Sequence, residues 1–173
     1  MRRYFIGIEP PEPTKGRVRE VMVLTGDHAP LPHITLHGPN GLEPNLDWLA
    51  PVSEVVAQSP TFMVSFGAPQ FFDVHVLYLA VHSKEIRPLH DALVRAVARS
   101  DEESGRAHEG GAFIPHLTLA RFNDTDSEQR QRARSLAEGL MPLDPFEVHE
   151  IVIFEKDGAS PYVAWRRLAL RSC

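Results

Sequence analysis

The sequence predicts an α+β protein in which antiparallel sheets line a central cleft and helices cover the outside, and three observations predict it. Segments with the two-residue alternation of strands interleave with segments of helical period. Several neighbouring strand segments are joined by turns too short for a crossover, which makes them antiparallel. The pentapeptide Pro32-His33-Ile34-Thr35-Leu36 returns, with one conservative change, as Pro115-His116-Leu117-Thr118-Leu119, about half of the 173-residue chain later. An internal duplication explains that spacing: two similar lobes related by a pseudo-two-fold axis, with the motif strands on opposite walls of one cleft.

In order, residues Arg3 to Glu9 read as an opening strand, followed by a Pro-rich turn and a helix from Thr14 to Leu24 that leads to the His33 strand. Leu46, Leu49, Val52, Val55 and Val56 recur at helical spacing, which predicts a helix from Asn45 to Gln58, stopped by Pro60. Strands are predicted at Phe62 to Phe66 and Val74 to His82, separated by Gly67 and Pro69. From Lys84 to Ser100, Ile86, Leu89, Leu93, Val94 and Val97 share one face of an amphipathic helix. A polar, Gly-containing loop from Asp101 to Gly111 delivers the second motif strand, Phe113 to Arg121. A charged helix from Ser127 to Gly139, a strand from Val148 to Glu155, a turn at Asp157-Gly158 and a strand from Val163 to Leu170 complete the chain.

Composition narrows the functional classes. Hydrophobic residues at 43% and charged residues at 24% describe an ordinary globular protein large enough to bury a core without crosslinks. The sole cysteine, Cys173, leaves no intrachain disulfide and no thiolate cluster for zinc, which fits a reducing interior. Residues Met1 to Pro10 lack the long apolar stretch of a secretory signal, and no segment approaches the roughly 18 apolar residues of a membrane span, so a cytoplasmic location is expected. A net charge of −5 argues against broad adhesion to duplex DNA or anionic lipid, which draws on many Lys and Arg contacts. Any nucleic acid should be gripped locally, at one or two phosphates. Arg130, Arg132 and Arg134 with Glu128 read as the solvated face of a helix. There is no phosphate-binding Gly-Lys-Ser/Thr loop and no dinucleotide fingerprint, so neither an ATP-driven ligase nor a Rossmann enzyme is expected.

The repeated motif carries the chemistry. In an extended strand His33 and Thr35 point one way while Ile34 and Leu36 point the other. The apolar pair anchors the strand in a core and leaves an imidazole and a hydroxyl side by side, roughly 6–7 Å apart along the strand. A lone histidine beside a threonine is usually a half-buried polar pair; two such pairs in matched contexts supply two imidazoles and two hydroxyls to one small anion. Imidazole, with an unperturbed pKa of about 6.5, populates both protonation states near neutrality. Thr35 and Thr118 would donate hydroxyl hydrogen bonds to the oxygens of such an anion.

These residues, with Tyr4-Phe5-Ile6-Gly7-Ile8 as the opening strand, Gly38-Pro39 after the first motif and Ala120-Arg121 after the second, make the chain resemble the 2H phosphoesterase superfamily, and within it the bacterial and archaeal 2′-5′ RNA ligase-like branch. The resemblance implies a single domain over residues 1–173 made of two intertwined similar lobes. It also implies cleavage of RNA 2′,3′-cyclic phosphates to 2′-phosphates by His33 and His116 without metal or other cofactor, with reversible joining of RNA ends through a 2′-5′ linkage in some members. RNA ends or nucleoside 2′,3′-cyclic phosphates are the implied substrates, and a monomer is expected. Near-symmetry leaves both acid and base assignments open; the preferred one makes His116 the base toward water and His33 the acid toward the leaving 3′ oxygen.

Parity sorts the remaining site residues. Arg121 shares the parity of Leu119 and would point away from His116 unless the strand bulges; the resemblance implies a basic residue there, which keeps it as a phosphate contact. His37 shares the parity of His33 and Thr35 and would line the cleft, with a surface position at the strand end as the alternative. Phe122, then Tyr162, then Phe72 are the residues expected to stack on a nucleobase, because they follow or flank the motif strands. The other histidines form no pair at zinc-ligand spacing. Two other functional classes remain: a metallohydrolase using the histidines as ligands, and a non-catalytic protein that binds phosphorylated RNA ends.

Overall fold

The computed structural model describes residues 1–98, 113–123 and 126–172. Twelve elements follow one another: β1 (Arg2–Ile8), α1 (Thr14–Leu24), β2 (Ile34–His37), α2 (Leu49–Gln58), β3 (Phe62–Phe72), β4 (Val76–His82), α3 (Ile86–Val97), β5 (His116–Arg121), α4 (Ser127–Leu140), β6 (Phe146–Val148), β7 (Glu150–Asp157) and β8 (Val163–Ala169). The expected loop at Asp101 to Gly111 and Cys173 lie outside the described residues. No helix among the described residues is long and apolar enough to cross a membrane.

The α+β class holds, but the two sheets expected from the repeat are one. Eight strands form a single antiparallel sheet in the order β6-β3-β4-β5-β2-β1-β7-β8. The seam between the halves is the pairing of β2 with β5 at Ile34↔Leu117. Had these short strands stayed on separate sheets, each would have presented an unpaired edge at the centre of the molecule; hydrogen-bonding them to each other removes both edges. Outward from the seam the two sides match: a motif strand, then the strand that opens its half (β1 or β4), then a long strand contributed by the other half (β7 or β3), then a short or exposed edge strand.

Helices occupy one face of this sheet. Val18 and Met22 of α1, Val52 and Val56 of α2, Ile86, Leu89 and Leu93 of α3, and Ala133 and Ala137 of α4 all join one core with Tyr4, Ile6, Ile34, Leu36, Leu77, Leu117, Leu119 and Ile153 of the strands. Phe5, Val152 and Phe154 form a separate small cluster, with Leu31 and Tyr162 packed on it. Strand alternation assigns that cluster to the opposite face, because Phe5 lies between Tyr4 and Ile6 and both of these face the helices.

Element limits differ from the sequence expectation where a local device intervenes. Helix α2 starts four residues late because Leu46 takes a left-handed conformation (φ 63°) and the buried Trp48 indole donates to Glu43 O at 2.8 Å, closing a turn instead. Strand β3 runs straight through Gly67 and Pro69, which read as a break; a register irregularity between Phe66 and Pro69 absorbs both. The three-residue β6, which pairs with the start of β3, went unforeseen because so short a segment carries no periodicity. The charged helix α4 is capped by Asp126, which accepts from the backbone amides of Glu128 and Gln129, and Arg132–Glu128 and Arg134–Glu138 pairs at i,i+4 cover its exposed face.

Gly7 is the one position in β1 where the fold requires a missing side chain. It sits opposite Thr35, and a Cβ built there would lie 2.6 Å from the carbonyl oxygen of Ile34, which belongs to the backbone of the motif strand. Gly7→Ala is therefore expected to destabilise the protein by roughly 1–3 kcal/mol, as overpacking against a fixed backbone does. A lowered midpoint in urea denaturation at constant slope would show it; an unchanged midpoint would mean that β2 can retreat freely.

Candidate active site

Both motif strands turn their aliphatic residues inward: Ile34, Leu36, Leu117 and Leu119 are all fully buried. His33 stands immediately before β2 and His116 opens β5, and with Thr35 and Thr118 they remain half-buried on the helix-free face. Extending the antiparallel register from Ile34↔Leu117 by one residue each way sets His33 opposite Thr118 and Thr35 opposite His116. Side chains paired across an antiparallel ladder share a face with Cβ atoms about 4.5–5.5 Å apart, and diagonal neighbours lie about 7–8 Å apart. The imidazoles thus occupy one diagonal of a four-cornered cluster and the hydroxyls the other.

Each imidazole is held in the same way. Nδ1 of His33 lies 2.6 Å from Leu31 O, and Nδ1 of His116 lies 2.7 Å from Ile114 O, in both cases the carbonyl two residues back. A carbonyl accepts only, so Nδ1 donates, and Nε2 is the nitrogen able to exchange a proton with a ligand. Beneath each ring lies a stacked aromatic pair from the next two strands outward. His33 packs on Phe5 (centroids 4.7 Å apart) and near Phe154 (5.8 Å), which stack on each other at 4.5 Å. His116 meets Phe72 (5.0 Å) and Tyr78 (5.6 Å) edge-on, and those two stack at 4.0 Å. The aromatics fix the rings by packing, and the carbonyls fix the tautomer.

The symmetry is broken in the surroundings. Burial holds His33 below the ordinary histidine value, since desolvation disfavours the imidazolium; the Leu31 carbonyl opposes this, and the positive charges of Arg121 and of a protonated His116 push the same way as burial. A cavity of about 560 Å³ opens beside His33 and Thr118, walled by Phe5, Arg121, Lys156 and Tyr162. His116 and Thr35 are on the same sheet face but are not part of its lining.

A model of the 2′-5′ RNA ligase superfamily matches residues 10–160. The chain belongs to that superfamily, the 2H phosphoesterases. Membership supports a phosphoesterase or ligase activity. Among solved structures, TT0787 of Thermus thermophilus is similar at a TM-score of 0.69 and 18% identity, covering 98% of each chain. Apo LigT of E. coli is similar at 0.62 and 19%, again covering 98% of each chain, and LigT complexed with 3′-AMP at 0.60 and 16%, covering 98% of this chain and 97% of its own. These likenesses establish the shared 2H fold. No curated protein matches the chain by sequence.

Arg121 and His37 show what a parity argument misses in this 2H chain. In the β4 ladder Thr118 pairs with Tyr78 and Ala120 with Leu77, so Leu119 is an extra residue on β5; in the β1 ladder Thr35 pairs with Gly7 and His37 with Ile6, so Leu36 is extra on β2. Each motif strand therefore bulges one residue after its threonine, and a bulge inverts the faces of everything beyond it. Arg121 turns onto the cleft face, where it is exposed and lines the cavity. His37 turns toward the core, 6% exposed, with Nδ1 2.7 Å from Gly38 O, so it does not line the cleft as its parity suggested.

Of the aromatics expected to stack on a base, Phe122 is buried in the core against Phe71, which corrects that expectation; past the bulge its position faces inward. Tyr162 does line the cavity, edge-on to Phe5 at 4.8 Å, with Lys156 Nζ 4.9 Å from its ring centroid. Phe72 lies beside His116 instead. The rings under the histidines, Phe5, Phe154 and Tyr78, went unassigned from sequence, although Phe5 carried a signal: it breaks the inward register of Tyr4, Ile6 and Ile8.

The His33 imidazole is expected to titrate below the usual 6.5 or so in an NMR titration, and Arg121→Ala to raise its midpoint, because removing a nearby positive charge relieves the imidazolium. A midpoint at or above the ordinary value, or one indifferent to Arg121, would contradict the geometry described.

Proposed function

We propose that the chain is a metal-independent RNA 2′,3′-cyclic phosphodiesterase that opens cyclic phosphates to 2′-phosphates with His33 and His116 as proton carriers. The observation that supports it most is the pair of matched imidazoles, each with Nδ1 committed to its own backbone and Nε2 available, on the diagonal of a cluster whose other corners are hydroxyls. In-line displacement at phosphorus needs proton transfer on two opposite sides and charge stabilisation between them, which this arrangement supplies.

His33, held neutral by burial and by Arg121, takes a proton from water at Nε2 as the water oxygen bonds to phosphorus. The P–O3′ bond breaks, and Nε2–H of His116 gives its proton to the departing 3′ oxygen, leaving a 2′-phosphate. Proton exchange with solvent resets both rings. This reading exchanges the roles preferred from sequence, because near-identical motifs do not register unequal burial. Thr35 and Thr118 donate to the non-bridging oxygens, Arg121 contacts the phosphate and Tyr162 offers a face to the base. With the 5′-hydroxyl of a second RNA end in place of water, the same groups in the same roles would form P–O5′ as P–O3′ breaks and so join RNA ends through a 2′-5′ linkage. That LigT is found with 3′-AMP, ATP and NADP+ supports a nucleotide as the occupant of the cavity.

A metallohydrolase has less support, since no cluster of three or more His, Cys, Asp or Glu side chains able to hold a metal lies among the described residues. Incubation with nucleoside 2′,3′-cyclic phosphates in EDTA is expected to give the 2′-monophosphate at an undiminished rate; release of the 3′-monophosphate, or loss on chelation, would reject the proposal. His33→Ala and His116→Ala should each lower kcat/KM roughly 10²- to 10⁴-fold. Thr118→Val should cost roughly 10- to 100-fold, the value of one hydrogen bond to a charged group. Tight binding of cyclic phosphate without turnover would instead establish an RNA-end binding protein.

A further inference from the structure

The two bulges are not held by the sheet alone. Leu36, unpaired in the β1 ladder, has its carbonyl oxygen 2.6 Å from Nδ1 of His90 on α3. Leu119, unpaired in the β4 ladder, has its carbonyl oxygen 3.2 Å from Oγ1 of Thr25, the residue that ends α1. Carbonyls accept, so the imidazole and the hydroxyl donate. The connections run crosswise: α1 leads into β2 yet reaches the bulge of β5, and α3 leads toward β5 yet reaches the bulge of β2.

His90 is an expensive residue to place where it is. It is 1% exposed, its Nε2 has no hydrogen-bond partner among the described residues, and its ring lies flat on Phe113 at 3.8 Å and 2°. A leucine or phenylalanine would fill the same space without leaving a buried nitrogen unsatisfied. The one polar bond the ring makes is therefore its distinguishing contribution. Phe113 stands three residues before His116, so this single buried ring touches the bulge of the first motif and the approach to the second.

We propose that His90 and Thr25 are positioning residues, a crosswise pair of latches that set the two bulges and thereby aim Thr35, Thr118 and Arg121 at the phosphate. The proposal rests on the reading that these groups act on a phosphate. Bulges bend and twist the strand that carries them, and a displacement of about 1 Å in a reacting group costs up to roughly 100-fold in rate. The His90 latch is the stronger one, because the Thr25 hydroxyl shares its single hydrogen with Met22 O at 2.9 Å.

The test compares His90→Phe with His90→Asn and Thr25→Val with Thr25→Ser in the full chain, by kinetics on a 2′,3′-cyclic nucleotide, thermal melting, and imidazole NMR without substrate. His90→Phe keeps the stacking and removes the donor; kcat should fall roughly 10- to 100-fold with KM changed less than about twofold. His90→Asn, whose amide nitrogen falls near the position of Nδ1, should recover part of that loss. Thr25→Val should lose less, and Thr25→Ser should restore it. In the NMR arm His90→Phe should move the His33 resonances more than those of His116, and Thr25→Val the reverse. Unchanged kcat in both donor-free variants overturns the proposal, as does a loss that Asn and Ser fail to recover. If wild-type protein shows no turnover, the phosphodiesterase reading fails, and the NMR arm still decides: crosswise shifts sustain the latches and their absence removes them. If the His90 variants do not fold, the Thr25 pair decides alone.

Discussion

Everything at the site depends on two short strands hydrogen-bonding to each other. The Ile34↔Leu117 pairing joins β2 to β5 at the middle of the sheet and brings two distant motifs into one cluster. Its driving force is apolar: Ile34, Leu36, Leu117 and Leu119 are fully buried in the helix-covered core, and each such side chain contributes about 1.5–3 kcal/mol relative to an exposed one. The polar members of each motif have no part in that burial. The aliphatic residues hold the strands by one face, so the imidazoles and hydroxyls can be presented on the other without having to hold the fold together.

Presentation then needs refinement that alternation does not provide. A strand with a strict period of two would send Arg121 into the core and His37 into the cleft. One extra residue in each ladder reverses both outcomes, and the same device occurs at the same distance after each threonine. The repeated packing of each histidine on a stacked aromatic pair, with its Nδ1 tied to the carbonyl two residues back, shows how closely the halves correspond. Their difference lies outside the motifs. Tyr162 and Leu31 close over the Phe5 side, so His33 is the more desolvated ring, whereas the backbone bond of His116 is exposed. A near-symmetric scaffold thus sets two chemically similar groups in unequal surroundings, and burial on the Phe5 side lowers the pKa of His33.

Much of this was readable in advance, and for definite reasons. Helix α1 falls on its expected residues, between a Pro-rich turn and Gly26, and β1, α3, α4 and β8 fall within three residues of theirs. The tetrad His33, Thr35, His116 and Thr118 was readable because a repeated pentapeptide needs no structure to be seen. What misled was local: Gly67 and Pro69 signal a turn wherever they occur, and whether they end a strand or sit in a bulge depends on the partner strand, β4.

By itself the sequence determined the class of the fold, the inward and outward faces of the motif strands, and the chemical types available to the site, since these follow from composition, period and repetition along the chain. Only the tertiary structure decided that the sheet is single, that Arg121 enters the cleft while His37 and Phe122 leave it, and that His33 is the more buried imidazole. Each of these depends on register between strands far apart in the chain. Register is a property of a pair, fixed by which residues across the ladder lack partners, and no single segment contains that information.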